Sequence, residues 1–355
     1  MKWIEHFLTV ISWIAVLLLW GCAATVYIDP SRWGSYWSIV GLGFPFFVAA
    51  VVTAGLVSLV IRPRVAWISA VGLLGCCGSL RDYCPVNLSS PPPKGCLKVL
   101  TYNTHCLNTW EKDEEGRLTV LEYVLAKDPD VACLQEVMTR NEDDIRLIRE
   151  TVEKRGYHIS YFQLTGNRLA VISRWPAARI EGICRSSGNG AAAFYLPRGQ
   201  KDTLVVVNVH LESMHLSPTE RTNYSSLVHN PEDAYAQREK LSFVSKIAKA
   251  SHERAHQADT LAQFLDRHAG ERILLMGDFN DTPISYAHHA VCSRLTDVFR
   301  ATGNGIGRSF NKDAMFVRID HLFCSDHWKP FAAMVDDAAK HSDHYPLTVY
   351  LKPNP

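Results

Sequence analysis

The chain has 355 residues, of which 47% are hydrophobic, enough to build one large core or two ordinary ones. It carries 37 Lys and Arg residues against 36 Asp and Glu residues, so its formal net charge is only +1. Because it lacks the basic excess typical of nucleic-acid-binding proteins, this composition disfavours that class without excluding it.

Long apolar segments without Lys, Arg, Asp or Glu dominate the first part of the chain. They run from Phe7 to Ile28 and from Tyr36 to Ile61, and a shorter third segment runs from Val65 to Leu80. The first two reach the length of roughly 20 residues that a membrane helix requires. We therefore predict a membrane anchor over residues 1–85 with two or three transmembrane helices.

A cleaved signal peptide is the alternative for the first segment, because the stretch from Leu19 to Cys22 resembles a lipidation signal. The bulky Trp20 and the apolar segments that follow favour membrane helices instead. Lys2 precedes the first segment and Arg62 and Arg64 follow the second, so the positive-inside rule places them in the cytoplasm. With three spans, the rest of the chain lies on the extracytoplasmic side of a predicted bacterial inner membrane.

A proline-rich linker, residues 86–96, follows the anchor. Its central part, Ser89 to Gly95, has the composition of a stiff polar connector. The composition then becomes that of an α/β protein, so we predict a second domain over residues 97–355. Cys84 and Cys96 flank the linker, and their pairing depends on whether that compartment is oxidising.

The second domain combines strands that follow one another directly with strands separated by helices. Strands are predicted at Leu97–Tyr102, Val131–Leu134, His158–Phe162, Leu169–Ile172, Ala191–Leu196, Leu204–Val209, Ile273–Met276, Ile319–Cys324 and Tyr345–Leu351. Helices are predicted at Arg117–Lys127, Asn141–Arg155 and about Glu232–His268. This mixture predicts a four-layer α/β sandwich, in which two packed mixed β-sheets are flanked by helices, rather than a simple barrel or a doubly wound sheet.

Acidic, amide and imidazole side chains follow several strands at the points where the strands end. Such groups are costly in buried positions unless they bind a metal or transfer protons. The candidates are Asn103, Glu136, His210, Glu212, Asp278, Asn280, Asp320, Asp343 and His344. Mg²⁺ prefers oxygen ligands and is often held by one or two carboxylates together with a substrate phosphate, so the set predicts a metal-dependent phosphoesterase.

These motifs resemble the endonuclease/exonuclease/phosphatase superfamily, which has the deoxyribonuclease-I-like fold. The similarity extends from about Leu97 to Leu351 and comprises, in the family's order, Tyr-Asn, Leu-Gln-Glu, Asn-Val-His-Leu-Glu, Gly-Asp-Phe-Asn, Arg-Ile-Asp and Ser-Asp-His-Tyr-Pro. Each motif alone is common, but the ordered set is specific. The segments Arg254–Asp259 and Asn280–Pro283, together with the apolar N-terminus, further resemble a membrane-anchored branch found in Bacteroidetes.

The resemblance implies a role for each matching residue. Glu136 would bind the divalent cation, Mg²⁺ or alternatively Mn²⁺, with Asn103 beside it and Asp343 helping to position it. His344, oriented by Asp320, would act as a general base or as the charged partner of the phosphate.

The resemblance further implies that Asp278 aligns or deprotonates the attacking water and that Asn280 holds a phosphate oxygen. His210 would contact the phosphate or assist the leaving oxygen. Some family members carry an acidic residue two positions after the first Asn, where this chain has His105. The number of metal ions therefore stays open.

Two further segments contain residues that are typical of ligand-binding loops. In and beside the polar insert 213–233, Arg221, Tyr224 and Arg238 are candidate substrate-binding residues, although a solvated loop is the simpler explanation. Gly303–Arg308 superficially resembles a phosphate-binding glycine loop. It neither follows a clear strand nor opens a helix, so we expect a mobile turn.

Simpler interpretations of the motif residues also stay open. Asp278 and Asn280 are common turn formers, and Glu212 either pairs with His210 or bonds a loop. A catalytically silent membrane-bound binding domain would be the non-enzymatic alternative, and it predicts a broken centre. The presence of the complete residue set disfavours that alternative.

We therefore predict a membrane-tethered phosphoesterase that hydrolyses a phosphodiester or phosphomonoester by in-line attack of water, with no obligate protein partner. The substrate would be a lipid headgroup, a small phosphate ester or a nucleic acid. Nuclease activity on DNA or RNA and sphingomyelinase-like phospholipase activity are the alternatives. The sequence leaves them open because such a centre recognises phosphate geometry, whereas the surrounding loops recognise everything else.

Overall fold

The computed structural model describes residues 2–108, 110–139, 141–186, 188–199, 202–214, 234–312 and 316–354, without the side chains of residues 108 and 234–241. Its N-terminal part is helical. The helices are α1 (Lys2–Ala24), α2 (Pro30–Trp33), α3 (Trp37–Leu42), α4 (Phe44–Ile61), α5 (Trp67–Gly75) and α6 (Cys77–Tyr83), with short 3₁₀ turns at Thr25–Tyr27 and Pro63–Val65.

Two N-terminal segments, Lys2–Tyr27 and Phe44–Ile61, are long and apolar enough to cross a membrane. The pair Pro63–Gly75 and Cys77–Tyr83, bent by 64°, makes a third candidate span if it acts as one segment. This agrees with the prediction of two or three spans. Large apolar side chains of the first two segments remain exposed, as expected where lipid is the solvent.

Small residues allow the N-terminal helices to pack closely. A Cβ atom on Gly72 of α5 would lie 2.4 Å from the side chain of Val16 in α1, and one on Gly55 of α4 would lie 2.9 Å from that of Ser69. Helices pack closely at such small residues because their backbones can then approach one another. The N-terminal helices therefore form one packed unit.

The remainder of the described chain combines strands and helices. The strands are β1 (Leu97–Asn103), β2 (Val131–Gln135), β3 (His158–Gln163), β4 (Arg168–Ser173), β5 (Arg179–Arg185), β6 (Gly190–Pro197), β7 (Thr203–His210), β8 (Arg272–Asp278), β9 (Thr296–Asp297), β10 (Asp320–Cys324), β11 (Trp328–Val335) and β12 (Leu347–Pro353). The helices are α7 (His105–Asn108), α8 (Thr119–Ala126), α9 (Glu142–Glu153), α10 (Ala234–Arg267), α11 (Tyr286–Cys292) and α12 (Val298–Thr302).

These strands form two six-stranded mixed sheets, with the orders β11-β12-β1-β2-β4-β3 and β5-β6-β7-β8-β10-β9. The pairs β1–β2 and β7–β8 are parallel and the remaining pairs are antiparallel. The predicted four-layer sandwich is confirmed. A strand lies at every predicted position, but the prediction missed β5, β9 and β11 and the short helices α7, α11 and α12.

The main core lies between the two sheets. It is formed by buried side chains from both, including Val99, Val131, Phe194, Val206 and Leu274. Helices α8 and α9 cover the outer face of the first sheet, and α10 and α11 cover that of the second. Because both faces of each sheet are covered, β2 and β7 are apolar along nearly their whole length instead of alternating.

The N-terminal helices pack directly against the strand-containing part of the chain. Ile284, just before α11, belongs to the apolar cluster of the N-terminal helices. The Tyr27 and His289 rings are 4.8 Å apart, and an Arg32 guanidinium nitrogen lies 3.8 Å from an Asp259 carboxylate oxygen. Residues 84–96 contain neither helix nor strand, and all ten cysteines are free.

Candidate active site

Strand direction brings the polar strand ends together. In the parallel pairs, Asn103 is in register with Gln135 and His210 is in register with Asp278. The carboxyl ends of β1, β2, β7 and β8 therefore meet at one edge of the sandwich, where ligands bind in many α/β proteins. Antiparallel β10 begins at this edge, which places Asp320 opposite Asp278.

Three buried side chains form the centre of this edge. His344 Nδ1 lies 2.8 Å from Asp320 Oδ2, and His344 Nε2 lies 3.7 Å from Asp278 Oδ2. All three are at most 5% exposed. Their ligand atoms lie within 4.8 Å of one another, a spacing suited to a metal ion or to proton transfer.

The electrostatics of this trio favour a protonated imidazole. Burial opposes a charge on His344, but Asp320 and Asp278 overcome it and raise its pKa to about 10. Burial also raises the pKa of Asp320, so the pair retains a proton at neutral pH. A doubly protonated imidazole has no lone pair for a metal, whereas its Nε2–H can donate to an anion in front of Asp278.

Asn103 links this trio to the second carboxylate group. Its Nδ2 donates to Asp278 Oδ2 at 2.9 Å and to Glu136 Oε1 at 3.1 Å. Glu136 follows β2 with a φ of +53°, which turns its side chain toward the edge. His210 Nε2 lies 3.6 Å from Glu136 Oε1 and 3.8 Å from Asp278 Oδ2. Neither ring nitrogen of this buried histidine has a hydrogen-bond partner among the described residues, so both are available to a ligand.

Asp343 lies next to His105, which the sequence motifs did not include among the site residues. His105 Nδ1 lies 3.6 Å from Asp343 Oδ1, and the His105 amide donates to Asn103 Oδ1 at 3.0 Å. Cys106 Sγ lies 3.8 Å from Glu136 Oε2; burial and that carboxylate raise the pKa of its thiol to about 11. The sequence contained no signal for either contact, because residues 105–107 adopt a left-handed backbone that only the tertiary structure reveals.

A tight turn after β8 sets the positions of Asp278 and Asn280. Gly277 has a φ of +149°, and a Cβ atom there would lie 1.9 Å from the Val209 carbonyl oxygen, so only glycine fits. Asp278 Oδ1 accepts a hydrogen bond from the Asn280 amide at 2.7 Å, and Asn280 Nδ2 donates to the Leu211 carbonyl at 3.0 Å. These residues are turn formers as well as members of the site.

A buried amide bridge joins the two sheets beneath the site. Gln135 Nε2 donates to Asn208 Oδ1 at 2.7 Å, and Asn208 Nδ2 donates to the carbonyls of Leu134 (3.1 Å) and Ala170 (2.9 Å). Asn208 belongs to the second sheet and its acceptors to the first. This bridge sets the spacing of the two strand-end groups that face each other above it.

The remaining candidates lie beside the centre or outside the described residues. Glu212 bonds a loop: its carboxylate accepts from Ser186 Oγ, and its amide donates to Gln257 Oε1 at 2.8 Å. Arg221 and Tyr224 lie outside the described residues. The backbone of Arg238 is part of α10, but its side chain lies outside the description as well.

The donor set fits a hard divalent cation. Glu136, Asp278, Asp320 and Asp343 place four carboxylates at one edge, and His344 supplies one balancing proton. Like charges this close are costly unless a cation lies between them. Carboxylate and amide oxygens are the ligands that Mg²⁺ and Mn²⁺ prefer.

Comparison with models of known protein families identifies two matching families. The model described as the endonuclease/exonuclease/phosphatase family matches residues 100–344, and a model described as a domain of unknown function (DUF8431) matches residues 5–83. None of the curated protein sequences matches the chain.

Solved structures share the fold at low sequence identity. The human Nocturnin catalytic domain with bound sulfate has 17% identity and a TM-score of 0.51, covering 74% of this chain and 97% of its own. A family protein from Beutenbergia cavernae has 17% identity and a TM-score of 0.50, covering 73% and 72%. The Neisseria 3′ phosphatase NExo, bound to a product DNA hairpin, has 18% identity and a TM-score of 0.50, covering 73% and 100%.

The chain belongs to the endonuclease/exonuclease/phosphatase family, whose members hydrolyse phosphate esters and typically require a divalent metal. The predicted family and enzyme class are therefore confirmed. The Bacteroidetes-like branch stays a prediction, as do the individual residue roles.

Proposed function

We propose that the protein is a membrane-tethered, Mg²⁺-dependent phosphoesterase that hydrolyses a phosphodiester or phosphomonoester by in-line attack of water. The observation that carries the proposal is the convergence of Asp278, Asp320 and His344 beside Asn103 and Glu136. In this proposal residues 1–85 are the anchor, 86–96 the linker and 97–355 the catalytic domain.

The cation would be held by Glu136, with Asn103 and Asp343 alongside, and Mn²⁺ is the alternative ion. When bound, it would neutralise negative charge on the phosphate and orient it. Four clustered carboxylates would otherwise repel an anionic substrate, which supports the need for a cation at this edge.

The protonation state of Asp278, Asp320 and His344 determines which catalytic role we propose for each. His344 keeps its proton at neutral pH, so it serves as the charged partner of the phosphate rather than as the base. Asp278 then orients the attacking water and accepts its proton. Asp320 holds the imidazole in place through the 2.8 Å contact.

Two further residues would complete the phosphate site. His210 offers a ring nitrogen to a phosphate or leaving oxygen, since neither ring nitrogen has a hydrogen-bond partner among the described residues. Asn280 uses one side-chain N–H for the Leu211 carbonyl, which leaves the other for a phosphate oxygen.

The contacts of the anchor support three crossings and an extracytoplasmic catalytic domain. Tyr27, at the end of the first span, and Arg32, between the first two spans, contact the catalytic domain. Arg62 lies at the other end of the second span, so the chain must cross again before Leu97 to reach the catalytic domain. The positive-inside rule places Arg62 in the cytoplasm and the catalytic domain outside.

Hydrolysis of bis(4-nitrophenyl) phosphate by the full chain in detergent tests the proposal. EDTA should abolish activity and Mg²⁺ should restore it. Asp278→Asn should lower kcat by about a hundredfold or more, because the base is lost. Asp266→Asn, at an exposed Asp paired with Arg294, is the matched control and should retain activity.

Activity that survives both EDTA and Asp278→Asn would contradict the proposal. A substrate panel then separates the alternatives. Single- and double-stranded DNA and RNA test the nuclease hypothesis, sphingomyelin vesicles test the phospholipase hypothesis, and sugar or inositol phosphates test a small-molecule phosphatase.

A further inference from the structure

The end of the last anchor helix and the residues after it are hydrogen-bonded to the catalytic domain. We call residues 82–87 the anchor tail. Asn87 Nδ2 donates to the carbonyls of Gly303 (2.6 Å) and Arg300 (3.1 Å), and the Asn87 amide donates to Asn304 Oδ1 at 2.6 Å. The Gly305 amide donates to the Pro85 carbonyl at 2.9 Å.

A buried arginine adds a second attachment. Arg318 is 1% exposed, and its guanidinium donates to the carbonyls of Asp82 and Ile306 and stacks on the Phe299 ring at 4.3 Å. A buried cation without its acceptors is strongly destabilising. The backbone of the anchor tail therefore supplies one of the groups that keep Arg318, two residues before Asp320, in place.

The partner of the anchor tail is the glycine-rich segment Gly303–Arg308, which the sequence offered only as a turn. Gly305 and Gly307 have φ values of +73° and +66°, and a Cβ atom on Gly307 would lie 2.3 Å from the Phe299 ring. Glycine is therefore needed at position 307 for the segment to pass close to Phe299. It extends directly into Ser309.

Ser309 connects this segment to the catalytic pair. Its Oγ accepts hydrogen bonds from the amides of Ile319 and Asp320, both at 3.0 Å, and its carbonyl accepts from the Tyr345 amide at 2.6 Å. Phe310 forms an isolated bridge with His344, and the two rings are 5.1 Å apart. Both members of the Asp320–His344 pair are thus held by residues that continue the glycine-rich segment.

We propose that the anchor tail is a positioning element of the catalytic centre. By fixing the glycine-rich segment, it holds Ser309 and Phe310 where they align Asp320 with His344. The membrane anchor is then part of the catalytic machinery and not only a tether. This inference rests on the proposed function, in which Asp320 and His344 serve catalysis.

Asn87→Ala in the full chain is the primary test, because Asn87 is partly exposed and lies outside the catalytic centre. Loss of its side-chain hydrogen bonds should lower kcat on bis(4-nitrophenyl) phosphate by about tenfold, or about 1.4 kcal/mol in activation free energy, with KM nearly unchanged. Asn354→Ala is the matched control, since Asn354 Nδ2 also donates to a backbone carbonyl, that of Asp326, in an exposed segment. It should leave kcat unchanged.

A double-mutant cycle with Asn304→Ala tests whether the separate contacts dock the same segment. Asn87→Ala removes the side-chain donor to the carbonyls of Gly303 and Arg300, whereas Asn304→Ala removes the acceptor of the Asn87 backbone N–H. Because both contacts fix the anchor tail to the glycine-rich segment, the two substitutions should lower kcat less together than the product of their separate effects. Multiplicative effects would overturn the coupling. An unchanged kcat in Asn87→Ala would overturn the proposal even if the melting temperature falls, because docking would then serve stability alone.

A spectroscopic readout separates this inference from the proposed function. The low-field proton resonance of the His344–Asp320 hydrogen bond, recorded by proton NMR on the full chain in detergent micelles, should shift or broaden in Asn87→Ala and stay unchanged in Asn354→Ala. If the wild type is inactive and the resonance still responds, the proposed function fails and the positioning role stands. A resonance that is identical in all three proteins would refute the positioning role.

Discussion

Asp320→Asn isolates the electrostatic contribution of one carboxylate while preserving its shape. Asp320 Oδ2 lies 2.8 Å from His344 Nδ1 in a buried site, and its charge is a major reason why the pKa of His344 reaches about 10. The amide keeps a hydrogen-bond acceptor but removes the charge. The pKa of His344 should therefore fall toward the ordinary value of about 6.5.

The shift predicts a pH-dependent loss of activity. If His344 acts as a cation, activity follows its protonated fraction. In the wild type this fraction should fall only near pH 10. At pH 8.5, an imidazole with a pKa of about 6.5 is about 1% protonated, so the variant should lose up to about a hundredfold in kcat. At pH 5.5 the imidazole is protonated in both proteins, and the difference should shrink.

A pH–rate profile for hydrolysis of bis(4-nitrophenyl) phosphate measures this effect. Asp326→Asn is the matched control, because Asp326 lies beside His327 at the exposed surface, with 3.2 Å between Oδ1 and Nδ1. Its profile should match the wild type. A uniform loss of kcat at all pH values in Asp320→Asn would refute the assignment of His344 as the cationic partner. A wild-type pH–rate profile in which activity requires neutral His344 would refute it as well.

Two stability predictions concern residues of the second sheet, Gly277 in β8 and Asp297 in β9. Gly277→Ala should lower the free energy of unfolding by about 3 kcal/mol or more and abolish activity, because its methyl group would lie 1.9 Å from the Val209 carbonyl oxygen. Thermal unfolding measures this loss of stability. A melting temperature within 2 °C of wild type would contradict the prediction. Burial opposes the charge of Asp297, but a hydrogen bond from His288 and the nearby Arg318 lower the pKa of its carboxyl group. The stability that the ionised carboxylate contributes is therefore fully present above the ordinary carboxyl pKa of about 4. It is lost as the pH falls through the lowered pKa. Asp297→Asn should therefore be less stable than wild type at pH 7 and lose less on acidification; equal acid sensitivity of the two proteins would contradict this.

Much of the fold was predictable because its signals are local. Apolar runs such as that from Leu204 to Val209 predict buried strands, and the pattern from Asn141 to Arg155 predicts an amphipathic helix. The elements that were missed lack such signals. Strand β5 carries Arg179, Glu181 and Arg185, and β9 has only two residues, so hydrogen bonding to neighbouring strands decides their conformation.

The candidate site was predictable in composition but not in geometry. Polar residues at strand ends identified Asp278 and His344 because buried strands otherwise exclude such groups. Nothing in the order of residues indicated that Asn103 donates to two carboxylates at once, or that Ser309 holds Asp320 through its hydroxyl. These contacts join residues that are far apart in the chain.

The sequence alone determined that this protein has an apolar N-terminus, an α/β domain and a complete set of family motifs. These properties depend on composition and on short-range periodicity, which are present in the amino-acid sequence whether or not the chain is folded. Only the tertiary structure decided how the anchor tail bonds to the glycine-rich segment and how that segment reaches the catalytic pair. Such contacts require the two sheets and the anchor to pack first, because packing alone brings these distant segments within hydrogen-bonding distance.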